Sequence, residues 1–381
     1  MAAVIFIGVF FAKRANKSSE NYFLGGRSLG PWVTAMSAEA SDMSGWLLMG
    51  LPGVAYWSGL ADAFWTAAGL AVGTYLNWLI VSKRLRRYSI RANNSITLPE
   101  FFSNRFREEK KVIMTLAALF ILIFFTVYAA SCFVTCGKLF STLFGAPYVA
   151  MMVVGAVFVL LYTILGGFLA ESASDFMQAI VMVIALLTIL VLGTAAAGGI
   201  DVVIENAKAI PGFFSPTQIA TPTVDANGVQ QAVNGVPQFG EAGSYGLLTI
   251  ISTLSWGLGY FGVPQVLLRF MAIRKERELK QSRRIATVWC VISLFAAVSI
   301  GVIGRSLFPA EASLAASSSA ENVFVVMSQY LLPPVLAGVI MAGILAATIS
   351  SSDSYLLIAA SAFSKNIYEG LWKKNKADDK K

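Results

Sequence analysis

Nine stretches of mostly apolar residues, most of them about twenty residues long, limit what this chain can become more than any other feature. They cover roughly 1–11, 31–56, 61–81, 112–136, 149–168, 176–199, 247–271, 285–308 and 335–363. A helix needs about 20 such residues to cross a hydrocarbon layer about 30 Å thick. In lipid, helices are favoured because they satisfy every backbone polar group within the segment. Only the first stretch is too short to cross. Charged residues make up 13% of the chain and hydrophobic ones 56%, whereas a soluble domain carries about 25% charged residues. So few charges cannot coat a water-facing surface of this size, but they suit a bundle that faces lipid. The expectation is an all-α integral membrane protein, with residues 1–381 forming one polytopic domain.

The net charge of +8 raises the question of a nucleic-acid partner, and the placement of the charges answers it. Of 29 Lys and Arg, 25 fall in four clusters, at 13–27, 83–111, 274–284 and 365–381. These clusters occupy alternate gaps between apolar stretches, as the positive-inside rule predicts for cytoplasmic loops. The pattern places the loops 12–30, 82–111 and 272–284 and the charged tail 369–381 in the cytoplasm of an inner-membrane protein, and it argues against nucleic acid. The stretch 200–246 then lies outside, with Asp201, Glu205, Asp225 and Glu241 against Lys208. Its Pro, Gly and Asn content reads as an irregular loop. Residues 169–175 read as a short inner loop, and residues 98–102 as the start of a short interfacial helix with Pro99 in its first turn. Three cysteines, two of them one helical turn apart, make neither a disulfide framework nor a metal cluster. The chain has no histidine, and no nucleophile is paired with a base. The expectation is a transporter, not an enzyme.

Two spans read as interrupted. The first carries Ser37, Glu39, Ser41, Asp42, Ser44 and Gly45 at mid-span. A carboxylate there costs about 3 kcal/mol on insertion scales, so two of them need a compensating role. Broken transporter helices supply one, because unwound backbone frees carbonyls for a cation and N–H groups for a substrate carboxylate. The second carries Gly257, Gly259, Gly262 and Pro264 beside Trp256 and Tyr260. Glycine and proline weaken a helix, and the aromatics can wall a pocket. A third polar cluster, Thr348 and Ser350 to Ser354, offers the hard oxygen ligands that hard cations prefer. Its serines can also bond back to their own helix. Asp175 reads equally as a charge partner or as an interfacial residue.

The runs Leu24–Pro31 and Ser41–Gly53 together closely resemble the sodium:solute symporter family. So do Trp256–Gln265 followed by Arg269–Ala272, Phe124–Ser131 and Gly166–Ala170. The similarity extends over about residues 20–370, and among the family's members it points to those that carry proline. It implies two inverted repeats of five helices, with the first and sixth core helices broken at 31–56 and 247–271. It also implies a longer chain in other members, so that the second repeat here is incomplete. By this resemblance sodium is held by the backbone carbonyls of Ala40 and Met43 together with Ala347, Ser350 and Ser351. Asp42 supports coupling, as does Asp175. L-proline lies between Ser44, Gly45 and Trp46 on one side and Tyr128, Trp256 and Tyr260 on the other. Glu39 stands where the family usually has a small residue. Asp353 is an added acid, and with Asp175 and Ser354 it makes a possible second sodium site.

The implied activity is sodium-coupled uptake of L-proline by alternating access. The nearest alternatives are another small cargo, such as pantothenate or another amino acid, and a membrane sensory module of the same fold. Two aromatics in a glycine-rich setting favour a small ring over a sugar.

Overall fold

Pro264 shows how this sequence interrupts its own helices. Proline lacks an N–H, and its ring clashes with the carbonyl four residues back. That carbonyl belongs to Tyr260, where the helix gives way to a single 3₁₀ turn, Tyr260–Gly262. Val263 is extended, and the chain resumes as a helix at Pro264. The freed Tyr260 carbonyl is not left bare, because Asn77 Nδ2 donates to it at 2.8 Å.

The computed structural model describes residues 2–372, apart from the side chains of residues 142–144. The helices in chain order begin with α1 (Ala2–Ala15), α2 (Ser19–Leu24), α3 (Pro31–Met43), α4 (Gly50–Ser58), α5 (Leu60–Ile80), α6 (Ser82–Arg91) and α7 (Leu98–Arg105). They continue with α8 (Val112–Phe144), α9 (Tyr148–Ala196), α10 (Ile200–Ala209), α11 (Leu247–Leu254), α12 (Trp256–Gly259) and α13 (Pro264–Ala272). The last are α14 (Leu279–Leu307), α15 (Ser317–Ala320), α16 (Val323–Leu331) and α17 (Pro334–Ser361), which continues as a π-helix over Ala362–Trp372. The expected tail lies outside the described residues from 373 onward.

The first interruption falls where its polar residues placed it. Pro31 starts α3 behind an extended Gly30, and α3 ends at Met43. Ser44 then takes φ 50° and ψ −172°, a positive φ that non-glycine residues rarely adopt. Its side chain helps to hold the turn, since Ser44 Oγ accepts from the Trp46 amide at 3.3 Å. The chain recovers through a 3₁₀ turn at Gly45–Leu47 and continues as α4.

Four helices are long and apolar enough to cross a membrane: α8, α9, α14 and α17. Two further candidates are bent pairs, α5 with α6 and α11–α12 with α13, each bent by 42°. α9 holds 49 residues, about 73 Å at 1.5 Å per residue, which is more than twice the hydrocarbon thickness. It breaks once, at Gly167, with φ 52° and ψ −155°. The nine apolar stretches fall on α1, α3–α4, α5, α8, the two halves of α9, α11–α13, α14 and α17.

Two expectations need correction. Residues 169–175 are not a loop. Glycine at 167 lets the chain break within one residue, and the helix resumes with Leu169 to Glu171 and Asp175 buried. Their polarity serves the interior. The stretch 200–246 is not irregular throughout. It contains α10 and two antiparallel strand pairs, Gln218–Ile219 with Gly243–Ser244 and Ala232–Val233 with Val236–Pro237. Gln230 fastens this segment from both sides. Its amide donates to the Ala315 carbonyl at 2.6 Å, and its Oε1 accepts from Arg305 Nη2 at 2.8 Å. Proline and glycine signalled turns correctly, but such distant partners leave no mark on local composition.

Expected interfacial helix α7 is present. Thr97 Oγ1 accepts from the Glu100 amide at 3.3 Å, and the Glu100 carboxylate accepts from the Ile96 amide at 2.9 Å, a reciprocal cap.

Glycine also permits a close helix contact. A Cβ at Gly73 on α5 would lie 2.3 Å from the Gly257 carbonyl oxygen on α12. Gly73→Ala is therefore expected to destabilise the protein by about 1–3 kcal/mol through overpacking. Gly246→Ala, with nothing within 4 Å of its Cβ, is expected to stay within about 0.5 kcal/mol of wild type. Thermal unfolding in detergent compares the two.

Candidate functional site

A cavity of about 480 Å³ opens where the two interrupted spans face each other. All six residues expected to hold substrate line it: Ser44, Gly45, Trp46, Tyr128, Trp256 and Tyr260. Three come from the unwound end of α3, one from α8 and two from the second interruption. Trp46 and Trp256 face each other with ring centroids 5.2 Å apart, and Tyr128 stacks on Tyr355 at 4.2 Å. Gly45 is required by space, because a Cβ there would fall 2.7 Å from Thr135 Cγ2. At the rim Lys138 pairs with Glu321 at 3.1 Å, joining α8 to the segment after α15. A volume within the usual ligand range, apolar walls and a few convergent polar groups make a small-solute site.

Asp42 lies in the same wall and accepts from Gln265 Nε2 at 3.1 Å, so the two broken helices are tied at their breaks. Glu39, one turn earlier, is buried. Its carboxylate accepts from Trp78 Nε1 at 3.3 Å and from the Tyr260 hydroxyl at 3.4 Å. The acid that departs from the family pattern therefore steadies one aromatic wall of the cavity from behind.

Four of the five residues expected to hold sodium, Ala40, Ala347, Ser350 and Ser351, meet next to this wall. Ser350 Oγ donates to the Ala40 carbonyl at 2.9 Å and reaches the Ala347 carbonyl at 3.1 Å. Ser351 Oγ lies 3.5 Å from the same Ala40 oxygen. Met43 is buried at the end of α3 and lines the cavity. Ser352, by contrast, bonds back to the Thr348 and Ile349 carbonyls of its own helix. The polar run on α17 thus divides. Ser350 and Ser351 reach across to α3, while Ser352 caps its own turn. Neutral hydroxyl and carbonyl oxygens are the donors that hard cations take.

Two of the three residues of the possible second sodium site come together around a cation of the protein itself. Asp175 and Ser354 do meet, but at Arg269. Its guanidinium reaches Asp175 Oδ2 at 3.0 Å, Ser354 Oγ at 2.8 Å and Ser37 Oγ at 3.0 Å, and it is salt-bridged to Glu171. Among the described residues no hydrogen bond or ion pair joins Asp353 to Asp175. Asp353 Oδ1 instead accepts from the Ser354 amide at 2.6 Å. The positive charge beside Asp175 is a tethered guanidinium, so Asp175 is a charge partner and not an interfacial residue. Arg269 is fully buried, and its partners come from α3, α9 and α17. Sequence reading missed this role and also Glu171. The available signal was that Arg269 is one of four bases outside the clusters, and a base inside a span requires a partner.

On the face carrying the basic clusters, Arg27 joins three segments. It donates to the Met271 carbonyl at 2.8 Å, the Ser95 carbonyl at 2.9 Å and Ser89 Oγ at 3.1 Å. Burial, and then the neighbouring Arg86, push its guanidinium down to about 10. It therefore stays charged at neutral pH.

Removing Arg269 strands two carboxylates. Arg269→Leu is expected to cost about 3–5 kcal/mol, as when one partner of a buried pair is removed. Glu171→Gln should cost less, because Asp175 still neutralises the guanidinium. Thermal unfolding of the two purified variants tests the order, and equal losses would contradict it.

Comparison with known proteins agrees with this geometry. Residues 22–381 match the sodium:solute symporter family. The sodium/proline symporter of Escherichia coli (strain K12) is 38% identical over 374 residues, which is 98% of this chain and 69% of that protein. Sodium/proline symporter 2 of Staphylococcus saprophyticus is 38% identical over 377 residues, 98% of this chain and 68% of that one. A solved structure of a Na⁺-coupled sialic acid symporter, in a substrate-bound outward-open state, superposes with a TM-score of 0.76 at 22% identity, covering 97% of this chain and 73% of that one. That likeness shows the fold, the inverted-repeat transporter architecture whose first and sixth core members are here α3–α4 and α11–α13. The chain belongs to the sodium:solute symporter family.

Proposed function

We propose that this protein is a multi-pass membrane symporter that couples sodium entry to uptake of L-proline by alternating access. One observation carries the reading. The carbonyl of Ala40, which gathers Ser350 and Ser351, sits one turn before the unwound Ser44–Trp46 segment that walls the cavity. A cation at the first place therefore bears directly on the shape of the second. The names of the relatives, sodium/proline symporters at 38% identity over nearly the whole chain, supply the ion and the cargo.

Sodium enters among the oxygens of Ala40, Met43, Ala347, Ser350 and Ser351, displacing the hydrogen bonds that Ser350 and Ser351 now make to Ala40. Its charge fixes the end of α3. The proline carboxylate then takes the N–H groups at the break, where the Trp46 amide now bonds only to Ser44 Oγ at 3.3 Å, while Trp46, Tyr128, Trp256 and Tyr260 enclose the apolar ring. Asp42, bonded to Gln265, passes the change from one broken helix to the other. Ordering by sodium raises the affinity for proline, and proline raises the affinity for sodium by the same factor, because linkage is reciprocal. A membrane potential of 100 mV, negative inside, contributes about 2.3 kcal/mol for each sodium carried inward. The basic clusters support a cytoplasmic position for residues 369–381.

Binding of labelled proline to the purified chain, and its uptake into vesicles, should both require sodium and fail with potassium. Ser351→Ala removes one hard ligand. It should raise the sodium concentration for half-maximal proline binding about tenfold, equivalent to about 1.4 kcal/mol, while saturating sodium restores binding. Trp256→Ala should weaken proline binding even at saturating sodium. Proline binding indifferent to sodium would overturn the coupling, and absence of proline binding would overturn the cargo.

A further inference from the structure

Tyr75, Leu79, Lys83 and Arg87 form one exposed row at four-residue spacing, running from α5 across the 42° bend into α6. Its character changes at the bend. On α5 the row is apolar, with Tyr75 42% and Leu79 45% exposed and Val72 beside them. On α6 it is basic, and a recess there is bounded by Lys83, Arg84, Arg87 and Tyr88. The opposite face of α6 is fixed to the protein. Ser82, Leu85, Arg86 and Ser89 are buried, and Arg86 Nε donates to the Ile273 carbonyl at 2.7 Å. The basic side chains therefore project from a rigid support.

The local charges do not cancel. Glu276 accepts from Arg87 at 2.7 Å and lies 3.6 Å from Lys83. It offsets one of the three cations, and Arg84 is exposed with no hydrogen bond or ion pair among the described residues. Two more guanidinium groups border the row through aromatic faces. Arg283 lies over Tyr75 at 5.3 Å, and Arg105 lies over Tyr88 at 5.5 Å.

We propose that this row is a binding site for an anionic phospholipid. The phosphate sits among Lys83, Arg84 and Arg87, and an acyl chain lies along Leu79, Tyr75 and Val72. The polarity of the row matches the polarity of a lipid, which is charged at one end and apolar at the other. A free phosphate would use only the lower half. Arginine forks suit phosphate oxygens through paired hydrogen bonds, and basic groups close to a membrane surface attract anionic headgroups. The site lies apart from the solute cavity. Its occupant would brace the α5–α6 bend, and α5 carries Asn77, which holds the Tyr260 carbonyl.

The test measures the apparent affinity of the purified full chain, in neutral detergent, for fluorescent phosphatidylglycerol and for fluorescent phosphatidylcholine. Wild type is expected to prefer phosphatidylglycerol. Each removed charge should weaken that binding about fivefold, so Lys83→Gln with Arg84→Gln should lose about 25-fold. Arg84→Glu alone, at an exposed side chain, should give a comparable loss. Lys17→Gln with Lys110→Gln, basic residues that lie outside α5 and α6, should bind as wild type does. Thermal midpoints without added lipid verify that the variants fold. The proposal is overturned by equal binding of the two lipids, by unchanged binding in the Arg84→Glu variant, or by displacement of phosphatidylglycerol with millimolar inorganic phosphate.

Discussion

A buried arginine in a membrane protein cannot remain without partners, and four helices of this bundle are organised around one. Arg269 draws Glu171 and Asp175 from α9, Ser37 from α3 and Ser354 from α17 onto a single guanidinium. Each of these helices also contributes to the solute cavity, to the converging oxygens or to their support. In lipid the alternative to such pairing is an isolated charge, at a cost of several kcal/mol. The cluster therefore ties a broken helix of each repeat to two helices that are continuous there.

A hydrogen-bonded path leads from that cluster to the proposed cation site. Ser354 Oγ bonds to Arg269, to Glu171 and to the carbonyl of Ser350. Ser350 Oγ in turn bonds to Ala40. Two serines of one helix, α17, thus connect Ala40 to Arg269. From Ala40 the backbone of α3 leads directly to the unwound cavity wall. The ends of the broken helices provide polar backbone, while the arginine cluster limits how far they can separate.

The breaks follow from local chemistry that costs little to satisfy. Pro264 removes a helical hydrogen bond, and Asn77 restores a partner to the carbonyl it frees. Ser44 takes a positive φ, and its own hydroxyl caps the turn. Interruptions with compensation on the spot persist without unravelling their neighbours. The cavity therefore has firm walls that hold Trp46 and Trp256 in position.

Much of this was legible in the sequence, for physical reasons. Apolar length fixes the spans, because hydrocarbon thickness is constant. Clustered bases carry the expectation of their orientation, because charge resists translocation. Gly, Pro and mid-span Ser and Asp mark the breaks, because they act on their own backbone. The residues that line the cavity also lay in motifs confined to single segments. Tertiary structure decided which distant side chains meet. Glu171 and Asp175 looked like parts of an inner loop until Arg269, about a hundred residues later, gave them a buried partner. Asp353 and Ser354 looked like a matched pair for a second ion, until the guanidinium claimed Ser354 and Asp175. The segment 200–246 looked shapeless because its fasteners, Ala315 and Arg305, lie on other elements. A sequence records what each residue does to its own backbone and to the solvent around it. Which charge neutralises which other charge is settled only when the helices lie side by side.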